Sequence, residues 1–324
     1  MRTPTGKRPA DDAEAVPGPP PQSPAHLPGR LWWATLRRTV KEFDDDGLAD
    51  WAAALTYYAV LSVFPGLILL TSVLGLIGRP ILEPLLDSLG QVAPGPVRDI
   101  LTSSLVTIAQ NQTKASVLAV VGLAGALWTA SGYVGAFMRA SNVIYDVPEG
   151  RPLWKTLPIR VAITVVVGAA LAAGTLIVVF TGEVAEWVGR LLNVDRTALT
   201  VWSIAKWPVL LVLVGGILDL LFWAAPNARQ AGFRWITPGG VLAVLLWIAA
   251  SAGFGLYAAH FGSYDKTYGT LGGVAVFLVW LWLSNIAVLL GAELDAELHR
   301  SRAIAGGQPA DQEPYMPLRD TKAL

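Results

Sequence analysis

The sequence predicts an all-α integral membrane protein: six transmembrane helices, both termini in the cytoplasm, and a helical hairpin in the first outer loop. Of its 324 residues 53% are hydrophobic and only 15% charged, with a mean hydropathy of +0.50, whereas soluble chains carry about 25% charged residues. Six stretches approach or exceed the roughly 20 apolar residues needed to cross a hydrocarbon core. Seventeen of the 24 basic residues fall in the N-terminal region, the second and fourth loops and the C-terminal tail, against six in the first, third and fifth loops. Under the positive-inside rule that asymmetry puts both ends in the cytoplasm.

Residues 1–30 contain "PADDAEAVPGPPPQSPAHLPG", proline-rich and nearly devoid of core-forming side chains, so they are expected to be a disordered tail without a cleavable signal. In "GRLWWATLRRTVKEFDDDG", Trp32, Leu36, Val40 and Phe43 recur at helical spacing with Arg37, Arg38 and Lys41 between them. That pattern suits either a short helix lying in the inner interface or an amphipathic cap packed on the bundle. The six spans are placed at 51–78, 116–138, 159–181, 203–224, 237–259 and 268–291, within a membrane domain of 31–298. Nine of the thirteen tryptophans, among them Trp51, Trp154, Trp207 and Trp223, sit near span ends, where an amphipathic ring is best solvated. The first outer loop, 79–115, has two amphipathic patterns broken by "APGP" and reads as a hairpin that caps or gates the bundle. Residues 299–324 read as a second disordered tail.

Polar groups inside the spans are costly in lipid unless they are packed against partners or line a hydrated path. Counting 1.5 Å per residue from each inner end puts Tyr58, Ser62, Thr129, Ser131, Asp219 and Asn285 about 7 to 16 Å deep, all in one leaflet. Together with Tyr57 and Pro65, whose ring removes the N–H due to the Leu61 carbonyl, they outline a polar vestibule facing the cytoplasm. The bland alternative is interhelical glue, worth about 0.6 kcal/mol per hydroxyl. Asp219 is the acid within a span, with Gly215 and Gly216 beside it allowing close helix approach. Glu293, Asp295 and Glu297 form an acidic cluster read as a solvated or salt-bridged face. The sequence has no cysteine and only three scattered histidines, His26, His260 and His299, so no metal site, no cofactor and no catalytic residue is expected. Zero net charge gives no basic field for nucleic acid.

"AAALTYYAVLSVFPGLILL", "LWTASGYVGAFMRASNVIYDVPEGRP", "APNARQAGFRWITPGG", "YDKTYGTLGG" and "LLGAELDAEL" together resemble the YihY/virulence factor BrkB family of six-helix bacterial inner-membrane proteins, once labelled ribonuclease BN. The resemblance runs from about Leu31 to Leu298 and implies the inner membrane as the chain's location. It places the family's recurring positions on Tyr57, Tyr58, Ser62 and Pro65; Ser131, Asn142, Tyr145 and Arg151; Pro226 and Asn227; Tyr268 and Gly269; and Gly291, Ala292 and Glu293. Asp219 is outside that pattern. The family carries no settled activity; the ribonuclease label is regarded as a misassignment, and loose links to envelope integrity and lipid export remain. The resulting expectation is a transporter or lipid flippase acting on a lipid or amphiphile, and not an enzyme. The alternative is a non-transporting envelope-homeostasis scaffold, with Asn142, Tyr145 and Arg151 either binding a partner or satisfying helix-end carbonyls.

Overall fold

The structure, a computed structural model, describes residues 29–77, 112–179, 195–230, 236–260, 265–310 and 312–324. Seven helices are present among them: α1 Gly29–Asp45, α2 Leu48–Ile77, α3 Gln112–Ile144, α4 Leu153–Val179, α5 Arg196–Ala224, α6 Pro238–His260 and α7 Asp265–Ala305. Extended pairing among the described residues is limited to one antiparallel bridge, Ala228 with Leu318. Five helices are each long and apolar enough to cross a membrane, and α1 with the first part of α2, bent by 66°, passes as a sixth. The N-terminal tail and the outer-loop hairpin expected at 79–115 lie outside the described residues, apart from 112–115, where α3 begins.

The chain divides into two compact units. The first holds α1, α6, α7, the start of α2, the end of α3, the loop into α4, the end of α5 and the C-terminal segment; the second holds the remainder of α2 to α5.

In the first unit α1 stops where Gly47 takes a φ of +62°, a left-handed geometry that costs glycine least; the Asp46 N–H still reaches Glu42 O at 2.8 Å. Helix α1 turns its polar side inward. Thr35, Thr39 and Glu42 are buried, while Trp33 and Val40 are 72% and 68% exposed. Against α7, Thr35 bonds Ser301 at 3.0 Å, and Arg38 donates to Glu297 at 2.8 Å and to Ser301 at 2.7 Å. Arg300 bridges Glu42 and Glu297 at 3.2 Å each. The helix is thus packed on α7 and also leaves an apolar stripe outward, so the two sequence readings are not exclusive. Trp32 rests on Leu294 and Leu298 of α7, and Phe137 stacks on Phe222 at 6.3 Å.

Helix α7 continues to Ala305, and residues 312–324 carry defined hydrogen bonds, where a loose tail from 299 was expected. The sequence signal missed here is polar: Arg300, Ser301 and Arg319 have little hydropathy, yet all three find partners.

In the second unit α2 remains helical through Pro65. It lies close against α3 along Gly122, Gly125 and Gly132: a Cβ on these would stand 2.8 Å from the Leu69 nitrogen, 3.3 Å from Pro65 and 2.8 Å from the Tyr58 ring. Small residues at 3- and 7-residue steps let the backbones approach, the usual device of helix packing in lipid. Val166, Leu176 and Val212 are exposed on the protein surface, as lipid-facing side chains must be.

Candidate functional site

Two constellations contain the sequence-selected polar residues, one in each unit. In the first unit, α3 ends at a left-handed Asp146 with φ +52°; Asp146 N–H reaches Val143 O at 3.0 Å and Val147 N–H reaches Asn142 O at 2.9 Å. That turn throws 147–152 across the end of α5. Asn142 then works at both ends of its amide: Oδ1 accepts the Asn227 N–H at 2.7 Å and Nδ2 donates to Glu149 at 3.0 Å. The Arg151 guanidinium makes a two-toothed contact with Glu149, both at 2.7 Å, and donates to the Ala225 carbonyl at 2.8 Å. Burial pushes the Glu149 carboxyl up, but the Arg151 bonds and charge outweigh it and hold the group below its ordinary value.

Asn227 and Pro226 are fully buried. The Asn227 amide donates to Pro148 O and to Asp320 O, each at 3.0 Å, while its Oδ1 accepts the Asp320 N–H at 3.2 Å. Arg229 N–H reaches Pro317 O at 2.7 Å and Arg319 N–H reaches Asn227 O at 2.8 Å. Tyr145 is buried, accepts from Gln230 at 3.1 Å, and has its hydroxyl pushed up by burial and then by the Asp295 and Glu293 carboxylates.

Asp219 anchors the start of α6. It accepts the Thr237 hydroxyl at 2.8 Å, and the Thr237 oxygen accepts the Gly240 N–H at 3.0 Å, an N-cap ahead of Pro238 in the first turn. Asp295 of α7 accepts the Gly239 N–H at 2.8 Å, so two carboxylates meet the positive end of the helix dipole. Gly291 is the point where α7 crosses α6 backbone to backbone; a Cβ there or on Gly239 would run into the other's carbonyl. Glu293, Asp295 and Glu297 are all buried, so the acidic cluster is not a solvated face. Glu297 is paired with Arg38 and Arg300, and one Glu293 oxygen lacks a hydrogen-bond partner. Ala292 and Asn285 are also buried. Tyr268 and Gly269 lie in α7, and their surroundings are outside what the structure describes.

The second unit holds Tyr57, Tyr58, Ser62, Pro65, Thr129 and Ser131. Ser62 donates to Tyr58 O at 2.8 Å, Thr129 to Gly125 O at 2.9 Å and Ser131 to Trp128 O at 2.9 Å, each within its own helix. Tyr57, 61% exposed, meets Tyr58 edge-on at 5.5 Å. The residue that sequence reasoning missed is Arg160, counted among the basic residues of the second loop, at its margin. It is the eighth residue of α4, about 10 Å along the helix. Its Nη2 donates to the Ser131 oxygen at 2.9 Å, and its buried Nε has no partner. Gly135 gives it room: a Cβ there would sit 3.0 to 3.1 Å from three guanidinium atoms. Among the described residues Arg160 forms no ion pair. A guanidinium in an apolar helix keeps planar N–H donors suited to an acceptor with two oxygens, and a charge in such a place is costly unless it is met by a partner.

Among the described residues no three His, Cys, Asp or Glu side chains are grouped to hold a metal ion.

Residues 39–315 match the family model described as Virulence factor BrkB. Among individual proteins, the chain is 29% identical to a ribonuclease-like protein, YfkH, of Bacillus subtilis, over 82% of this chain and 93% of that one. It is 31% identical to a UPF0761 membrane protein of Rhodospirillum centenum, over 86% of this chain. A UPF0761 membrane protein of an Azoarcus species is 29% identical over 81% of this chain. The chain spans only 60% and 63% of the lengths of those two UPF0761 relatives. No solved structure matches the chain.

Proposed function

The chain belongs to the Virulence factor BrkB family of membrane proteins, and from that premise we propose that it moves an anionic amphiphile, a lipid with a phosphate or carboxylate headgroup, across the cytoplasmic membrane. One observation carries the reading: Arg160 lies within an apolar span, its buried Nε unpartnered, and forms no ion pair among the described residues. A charge inside a membrane helix is expensive, and it is retained where it meets a partner or a passing ligand. Ser131, whose own proton goes to the Trp128 carbonyl, leaves a lone pair for the guanidinium and fixes its direction. The remaining donors can then take a headgroup oxygen while acyl chains stay in lipid. The ribonuclease-like name belongs to the Bacillus relative, and this proposal involves transport without bond cleavage.

The test is lipid translocation in reconstituted vesicles containing a fluorescent anionic phospholipid, read by dithionite quenching. Wild type should render inner-leaflet label accessible, and Arg160→Gln should slow that by at least tenfold while keeping its thermal midpoint within a few degrees. Wild type indistinguishable from protein-free vesicles would overturn the proposal, as would Arg160→Gln running at the wild-type rate. The scaffold reading has its own support in Ser62, Thr129 and Ser131, whose hydroxyl protons serve their own helices; it predicts the first of those two overturning results.

A further inference from the structure

Residues 315–324 do not merely follow α7; they are held like a ligand. The segment runs antiparallel to 227–229, exchanging the Arg229–Pro317 and Arg319–Asn227 main-chain bonds at 2.7 and 2.8 Å. Beyond that pair the Asn227 side chain substitutes for a strand, donating to Asp320 O and accepting from Asp320 N, and Ala323 N–H reaches Gly150 O at 3.0 Å. Two side chains of the segment are read individually. Arg319 donates to the Ala228 carbonyl at 2.7 Å and to the Trp223 carbonyl, and its guanidinium lies 5.0 Å from the Trp223 ring centre. Asp320 pairs with Lys155, and the Lys155 hydrogen bond holds that carboxyl below its usual range.

The receiving surface is built for main chain. Gly150 leaves the space that the Asp320 carbonyl fills, and any Cβ there would collide with it. Asn227 is fully buried and has its hydrogen bonds divided between the α3–α4 loop and the segment. Strand addition with side-chain pockets is a standard mode of peptide recognition.

We propose that the groove between 149–151 and 227–229 is a binding site for an extended peptide carrying an Arg-Asp pair, and that the chain's own 315–324 is its exchangeable occupant. The tether, which turns at Gly307 with φ +96°, keeps the segment at an effective concentration of roughly millimolar. A free peptide therefore competes poorly until the tether is cut.

The experiment uses the full chain in detergent, with a protease sequence inserted between Gly306 and Gly307 and cut after purification, so that folding precedes release. A fluorescent peptide of residues 312–324 should then displace the severed segment and bind saturably, and the same peptide with Arg319→Ala should bind at least tenfold more weakly. Because the chain has no cysteine, the pair Ala228→Cys and Leu318→Cys gives a clean lock. These residues form a non-hydrogen-bonded antiparallel pair, with Cα atoms expected about 4.5 Å apart, within disulfide reach. Oxidised, that variant should refuse the peptide even after cutting; reduced, it should accept it. A severed segment that never exchanges would overturn the proposal by making the strand a permanent part of the fold. Equal binding of the Arg319→Ala peptide, or no saturable binding at all, would also overturn it.

Discussion

Arg151 shows how a motif residue can be tied to stability through three hydrogen bonds to two partners. Its Nε and Nη2 close on Glu149, and Nη2 also donates to the Ala225 carbonyl just beyond α5. Arg151→Met would leave that carbonyl unpaired in a buried place, at a cost of about 1–3 kcal/mol. The Glu149 side chain is 35% exposed, so its charge is partly screened, and the clearer signature is in pH. Because Glu149 is held below its ordinary value of 4.5, its contribution is fully present above that pH and is lost as pH falls through the folded value. The thermal midpoint of wild type should therefore exceed that of Arg151→Met at pH 7, and the gap should narrow as the pH falls from 5 towards 3. A gap constant across that range would show that Glu149 and Arg151 are not coupled.

At the level of helices, glycine positions set which pairs can touch. In the α2–α3 seam the three glycines meet different atoms, and this ranks their tolerance. A Cβ at Gly122 meets backbone, the Leu69 nitrogen at 2.8 Å; one at Gly125 meets Pro65 at 3.3 Å, which a shift of a few tenths of an ångström relieves. Overpacking costs about 1–3 kcal/mol when the neighbours cannot give way. Gly122→Ala should lie at the upper end and Gly125→Ala below about 1 kcal/mol, as read by reversible denaturation in mixed micelles. The reverse order would mean that the two helices do not approach along this line. The same reasoning explains the "TPGG" that opens α6: threonine caps, proline takes the first turn, and the two glycines admit Asp295 and Asp219.

For the whole chain, hydropathy made the helices legible, because 20-odd apolar residues can do little else in a bilayer. What it could not convey was where polar residues point. Asp219 was open to two readings, vestibule group or helix glue, and its bond to Thr237 at the α6 cap joins it to a partner eighteen residues away that no periodicity links to it. Arg160 was hidden among loop cations, and Arg319 and Asp320 were taken for tail, since each depends on a contact distant in sequence. The "PNAR" and "NVIYDVPEGRP" motifs were visible, but their mutual bonding through Asn142 and Asn227 was not. Charge asymmetry, in contrast, acts during insertion and needs no contact, so it yields a prediction for the molecule as a whole. With Arg160 assigned to α4, sixteen basic residues on one set of connections and tails against six on the other outweigh any single loop. With no native cysteine to remove, single variants Ser23→Cys, Pro148→Cys and Leu324→Cys should react with a membrane-impermeant maleimide only after cells are permeabilised. Asp195→Cys, between α4 and α5, should react in intact cells. Labelling of Pro148→Cys in intact cells with protection of Asp195→Cys would invert the topology, and with it the membrane face to which the C-terminal groove opens.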